Sequence, residues 1–162
     1  MKVLKSFSLF FTIYSFLSII SVFINNDVLS LISFISAFIS ALFLRREFKK
    51  IQQQQFKIPY AGAYLMVLGY LGIIIGIPLS FLSFVHLLGL TLVLIGALFV
   101  DIGMLTALVL GNFQLSKLFN DSRYNILAVL FLIGLILSFT LLKDIGDAIY
   151  LISSFFILVE SL

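Results

Sequence analysis

Long apolar runs separated by short polar interruptions dominate this chain. The first run covers 6–24, Asn25, Asn26 and Asp27 break it, and 28–44 then carries the chain on without a charge. Arg45-Arg46-Glu47-Phe48-Lys49-Lys50-Ile51, the glutamines Gln52 to Gln55, Phe56 and Lys57 form the longest polar segment. A membrane-spanning helix needs ~20 mainly apolar residues, because each adds ~1.5 Å towards ~30 Å of hydrocarbon. The runs lack period-two alternation, so helices are expected rather than a barrel; in lipid every backbone N–H and C=O must be paired within one or the other.

Between 60 and 113 the only charged residue is Asp101 and the only histidine is His86. That stretch is too long for one span and suits two, 60–80 and 84–110, with the turn placed near Pro78, Ser80 and Ser83. Gln114 to Asn125 is polar again, and Asp121 or Ser122 is positioned to cap the next helix. A fifth span is expected over 126–142, a turn at Lys143-Asp144-Ile145-Gly146-Asp147, and a short sixth span over 146–162. The pattern predicts an all-α integral membrane protein: a polytopic bundle of about six transmembrane helices in three hairpins. It forms a single domain over 1–162 with no soluble domain. Leu44, Phe48 and Ile51 keep helical spacing, so the second helix should run past the membrane surface until Pro59 stops it. Arg45, Arg46, Lys49 and Lys50 would then reach lipid headgroups.

Composition agrees with this picture and narrows it. The 162 residues are 62% hydrophobic and 10% charged, with a mean hydropathy of +1.26, too little polar surface for water to be the main solvent. Met1-Lys2-Val3-Leu4-Lys5 resembles a secretory n-region. The run after it is longer than an h-region and lacks a small-residue cleavage site, so a retained first helix is expected. Nine of the ten bases fall on one side of a six-span scheme and Lys143 alone on the other. Because cytoplasmic loops retain lysine and arginine, both termini are placed in the cytoplasm, in what is expected to be the cell membrane. Asn120-Asp121-Ser122 matches a glycosylation acceptor but falls on the cytoplasmic side, where it would go unused. The net charge of +3 does not indicate nucleic acid, since the bases flank apolar spans instead of alternating with aromatic residues along a groove.

Glycine provides the clearest packing signal. Gly62, Gly69 and Gly76 recur every seven residues in the third span, as do Gly89, Gly96 and Gly103 in the fourth. Seven residues is nearly two helical turns, so each trio forms one stripe. In an antiparallel hairpin, residues at one level have a constant summed number, and the pairs Gly62 with Gly103, Gly69 with Gly96 and Gly76 with Gly89 all satisfy this. Small residues allow the close backbone approach that drives helix association in lipid; Gly72 adds a Gly-x-x-x-Gly step to Gly76. Ser30, Ser33, Ala37 and Ser40 draw a small, weakly polar stripe on the second helix.

Few residues offer chemistry. Asp101 is the one carboxylate inside an apolar run, in the inner part of its expected span. It lies roughly 160° around the helix from Gly103, so it must face another helix, a cavity, a partner or the headgroups. His86 should be an interfacial residue just after the outer turn, and Tyr64 should lie level with Asp101 on the back of its helix. The chain has no Cys and one His, no nucleophile with a base and no Glu-x-x-His pair, so no enzymatic activity, cofactor or metal is expected. A structural or accessory subunit of a larger membrane complex is the first functional expectation. The alternative is a small transporter or channel, proton- or ion-coupled through Asp101. The expected partners are the lipid bilayer and other membrane subunits or further copies of the chain.

Overall fold

The structure, a computed structural model, describes residues 4–24, 26–51, 56–140 and 142–161, with Val22 and Lys143 as backbone only. The sequence readings at Lys2, Asn25, Gln52 to Gln55 and Leu162 lie outside these residues. Among the described residues six helices follow one another: α1 (Lys5–Ile24), α2 (Asp27–Lys50), α3 (Lys57–Ser80), α4 (His86–Phe119), α5 (Arg123–Ser138) and α6 (Lys143–Ser161). The described residues contain no strand. By length and composition α2, α3 and α4 are long and apolar enough to cross a membrane.

Local chemistry sets the ends. Asn26 caps α2, its Oδ1 accepting the N–H groups of Val28 at 2.9 Å and Leu29 at 3.2 Å. Asp27 in the first turn and Lys49 and Lys50 in the last complement the helix dipole. Asn120 ends α4 in the left-handed region (φ 49), which asparagine tolerates better than most residues. Asp121 then starts α5 by accepting the Arg123 N–H at 3.0 Å, while Ser122 makes no side-chain cap.

Several expected boundaries move. Proline suits a first turn, where its missing N–H is not needed, so Pro59 lies inside the start of α3 and does not interrupt a preceding helix. The fourth helix does not stop near 110 but continues to Phe119, through a π-helical turn at Leu105–Leu110. There the Asn112 side chain, 2% exposed, donates to Leu108 O at 2.6 Å. Residues 143–147 are the opening of α6 instead of a turn. The reversal falls just before them, where Thr140 Oγ1 accepts the Leu142 N–H at 3.1 Å.

Each helix packs on its neighbours in sequence, and α6 returns against α1, so the six close into a ring. Neighbours run antiparallel. Glu47 near the end of α2 accepts the N–H groups of Ser6 at 3.1 Å and Phe7 at 3.4 Å, capping the start of α1. Arg123 at the start of α5 pairs with Glu160 near the end of α6. One end of the ring therefore carries Lys5, Arg45, Arg46, Lys49, Lys50, Lys57, Lys117 and Arg123; we call it the basic end. Phe7, Phe11, Leu44, Phe48, Met66, Leu108, Leu127, Phe131 and Ile157 are buried at 2% exposure or less and fill the interior at that end. All lie within ~17 Å, measured along the helix axes, of the basic ends of their helices.

Candidate functional site

Beyond this plug, farther from the basic end, the helices line an open cavity of about 410 Å³ to which all six contribute. Tyr14 comes from α1, Phe34 and Ala37 from α2, Tyr70 and Ile73 from α3, Val100, Asp101 and Met104 from α4, Ser138 from α5, and Asp147 and Tyr150 from α6. Phe139, following α5, completes the lining on that side. Counted along the axes, these residues stand ~15–30 Å from the basic end. The arrangement depends on unequal helices: α5, with 16 residues, reverses at the level of the cavity, whereas α3 and α4 project well beyond it.

Asp101 is half-buried on the cavity wall. Because α4 runs to Phe119, it sits near the middle of that helix and not in the inner part of a shorter span. Its direction follows from the glycine seam. A Cβ on Gly103 would lie 2.7 Å from Gly62 O, so that face is pressed against α3 and Asp101, almost opposite, looks into the ring.

Asp147 is the second carboxylate, 2% exposed, with Oδ2 accepting the Ser18 hydroxyl at 2.8 Å. Sequence reasoning placed it in a turn and missed it. The signal was a stripe at Asp147, Tyr150, Ser154, Ile157 and Ser161, all 3% exposed or less, whose i, i+3, i+7 spacing is legible once the helix starts at Lys143.

Aromatic neighbours hold the three cavity tyrosines. Tyr150 lies edge-on to Phe11 at 5.7 Å and beside Phe131 at 6.1 Å. A Cβ on Gly134 would come 2.6 Å from its ring, so that glycine makes its room. Tyr70 meets Phe34 at 5.4 Å and Phe38 at 6.2 Å, and Tyr14 meets Phe11 at 5.3 Å. The Tyr150 hydroxyl is buried and has no hydrogen-bond partner among the described residues. Ser138 stands beside it; its own proton goes to Gly134 O at 2.9 Å, which leaves the Ser138 oxygen able to accept from the tyrosine.

The cavity wall carries, among the described residues, two acids, hydroxyls and aromatic rings. Among the described residues no three His, Asp or Glu groups converge as metal ligands.

The other sequence candidates lie elsewhere. His86 is exposed at the start of α4, where its Nδ1–H donates to Ser80 O across the α3–α4 turn. Tyr64 faces outward with the Arg45 guanidinium 4.9 Å over its ring. Arg45, Arg46 and Lys49 line a shallow cleft of about 210 Å³ at the basic end, and Lys50 is exposed nearby. Gly69 opposes Gly96, and Gly76 opposes Gly89: a Cβ on Gly96 would lie 2.6 Å from Gly69 O, and one on Gly76 2.7 Å from Gly89 O. Gly72 has more room, the nearest atom to an added Cβ being 3.4 Å away.

No protein-family model matches this chain, and neither a curated protein nor a solved structure does.

Proposed function

We propose that the chain is a small multi-pass membrane transporter whose six helices cross the bilayer with both termini in the cytoplasm, and that Asp101 and Asp147 carry the coupled proton or cation. One observation carries this reading: a cavity of about 410 Å³ placed part-way along the bundle, lined from all six helices, with two carboxylates, Asp101 and Asp147, on its wall. Carboxylates are costly at such depth, and where they face an internal cavity they mark ion and proton pathways. The bias of bases to one end orients that end towards the cytoplasm. The apolar plug then seals the cytoplasmic side, leaving the cavity on the outward half of the bundle. That is one of the two arrangements alternating access requires.

The accessory-subunit reading draws on a different feature. The projecting end of α3–α4 presents Phe81, Phe84 and Leu87, each 78% exposed or more, a surface another membrane subunit could cover.

Reconstitution decides between them. Purified protein in liposomes, under imposed proton or sodium gradients, should give flux reported by an internal pH dye. Asp101→Asn and Asp147→Asn should each cut that flux at least tenfold while eluting as folded protein, and Asp144→Asn, at an exposed site, should not. Absence of flux, together with stoichiometric partners retained in mild detergent, overturns the transporter reading in favour of the subunit.

A further inference from the structure

We infer that the cleft at the end of α2 binds one anionic phospholipid, its phosphate held by Arg45, Arg46 and Lys49 and an acyl chain lying along the outward side of the same helix. The inference goes beyond the transporter reading: it rests on that reading's placement of the bundle in a membrane, and on no solute or flux.

The spacing along α2 is the first argument. Leu31, Ile35, Leu42, Arg45, Arg46 and Lys49 follow one another at three-, four- and seven-residue intervals, so they share one side of the helix. Leu31, Ile35 and Leu42 are all exposed there. The stripe changes once, from hydrocarbon to base, between Leu42 and Arg45. From Ile35 to Arg45 is ~15 Å along the axis, half of the ~30 Å hydrocarbon core and so the depth that an acyl chain reaches in its own leaflet. A water-soluble phosphate has no use for the apolar part.

Charge is the second argument. Arg45, Arg46 and Lys49, with Leu42, line the cleft of about 210 Å³. Glu47, the one acid in this segment, is buried and turned inward to the Ser6 and Phe7 N–H groups. The ion pairs among the described residues are those of Arg123 with Asp121 and Glu160, so no described acid neutralises the cleft. Guanidinium forks match phosphate oxygens, and the ammonium adds a point charge. Anionic lipids of a cytoplasmic leaflet are drawn to such bases.

Pre-organisation is the third. Immobilising a long basic side chain ordinarily opposes binding. Arg45 is already half-buried, with its guanidinium 4.9 Å over the Tyr64 ring of α3, so one of the three bases is in place before the lipid arrives.

Full-length protein in mild detergent is mixed with equal amounts of dioleoyl phosphatidate and dioleoyl phosphatidylcholine, and the lipid retained is counted by native mass spectrometry. One phosphatidate per chain should be retained in preference to phosphatidylcholine. Arg46→Gln and Lys49→Gln should each weaken its retention about fivefold, the weight of one base near an anionic surface. Lys117→Gln, at an exposed site of the same end, should leave it unchanged. Tyr64→Leu should weaken it about threefold by releasing Arg45, whereas Tyr64→Phe keeps a ring beneath the guanidinium and should match wild type. Glycerol 3-phosphate at the same concentration should not displace the lipid.

Equal retention of the two lipids overturns the inference. So does an equal loss in Lys117→Gln, which would make the attraction a property of the whole basic end. Displacement by glycerol 3-phosphate overturns it too, by assigning the cleft to a soluble phosphate. The two-lipid comparison on the wild-type chain decides the matter even where a variant does not fold. Phosphatidate selectivity without proton or sodium flux removes the transporter reading and leaves the lipid site standing; flux without selectivity does the reverse.

Discussion

The α3–α4 and α1–α6 seams join helices by different means. Along α3–α4 the contact is backbone against backbone: Gly69 and Gly96 each leave so little space that a Cβ would lie 2.5–2.6 Å from the other's carbonyl oxygen. Along α1–α6 hydroxyls bridge the helices, Thr12 to Ser154 at 3.0 Å and Ser18 to Asp147 at 2.8 Å. In lipid, apolar side chains gain little by leaving hydrocarbon for one another, so close backbone packing and polar bridges are the two remaining ways to hold a seam. In the glycine seam the polar side chain packed on Gly62, Thr106, bonds back to carbonyls of its own helix at Ile102 and Gly103. The hydroxyl seam continues straight into the cavity through Asp147, so what joins those helices also shapes the site.

Breaking the glycine seam should have the largest effect. Gly96→Val places branched carbons against Gly69 O and Ile73 and should destabilise by about 3 kcal/mol, the upper end of overpacking costs, read as unfolding in mixed micelles of increasing SDS content. Gly72→Ala sharpens the point: with 3.4 Å to the nearest atom, it should change stability by less than about 0.5 kcal/mol. Equal losses at both positions would show that the seam is not set by backbone contact.

The polar joints should respond more mildly. Glu47→Ala removes the acceptor for the Ser6 and Phe7 N–H groups and should cost about 1–2 kcal/mol in the same assay, as lost helix caps do. Ser18→Ala should cost only about 0.6 kcal/mol, a typical interhelical bond in lipid. It should nevertheless lower flux through the reconstituted protein, because it removes a partner of Asp147. Unchanged flux would separate the seam from the site.

The smallest effect belongs to the basic end. Hydrogen bonds from the Arg123 side chain and backbone hold the exposed Asp121 carboxyl below the usual carboxylate range. A lowered value means the interaction is fully present above the ordinary carboxylate pKa of ~3.9 and is lost as pH falls through the lowered one. The difference in Tm between wild type and Asp121→Asn should thus be small and constant at neutral pH and vanish in strong acid. A difference that grew on acidification would refute the pairing.

How legible each part was depends on whether its signal was local. The glycine stripes were readable because a seven-residue interval is a property of one helix, and antiparallel pairing follows from a short turn. Asp101 stood out because one carboxylate in an apolar run is conspicuous. Asp147 did not, because Lys143, Asp144 and Gly146 around it look like a turn, and only the observed start of α6 puts it one helical turn inside. Gly134 escaped for a similar reason: it has no periodic companions on its own helix, and its role is to make space for a ring from α6.

Length, apolarity and periodicity were enough for the sequence to determine an all-helical chain, helices long enough to cross a membrane, the tight α3–α4 seam and the collection of bases at one end. Each is governed by interactions within a helix or between adjoining ones. Tertiary structure alone decided that α6 returns to α1, that α5 turns back at the level of Asp101, and that two acids 46 positions apart in sequence border one cavity. Ring closure depends on packing between helices remote in sequence, and no local pattern encodes how six partly filled faces combine to leave a space between them.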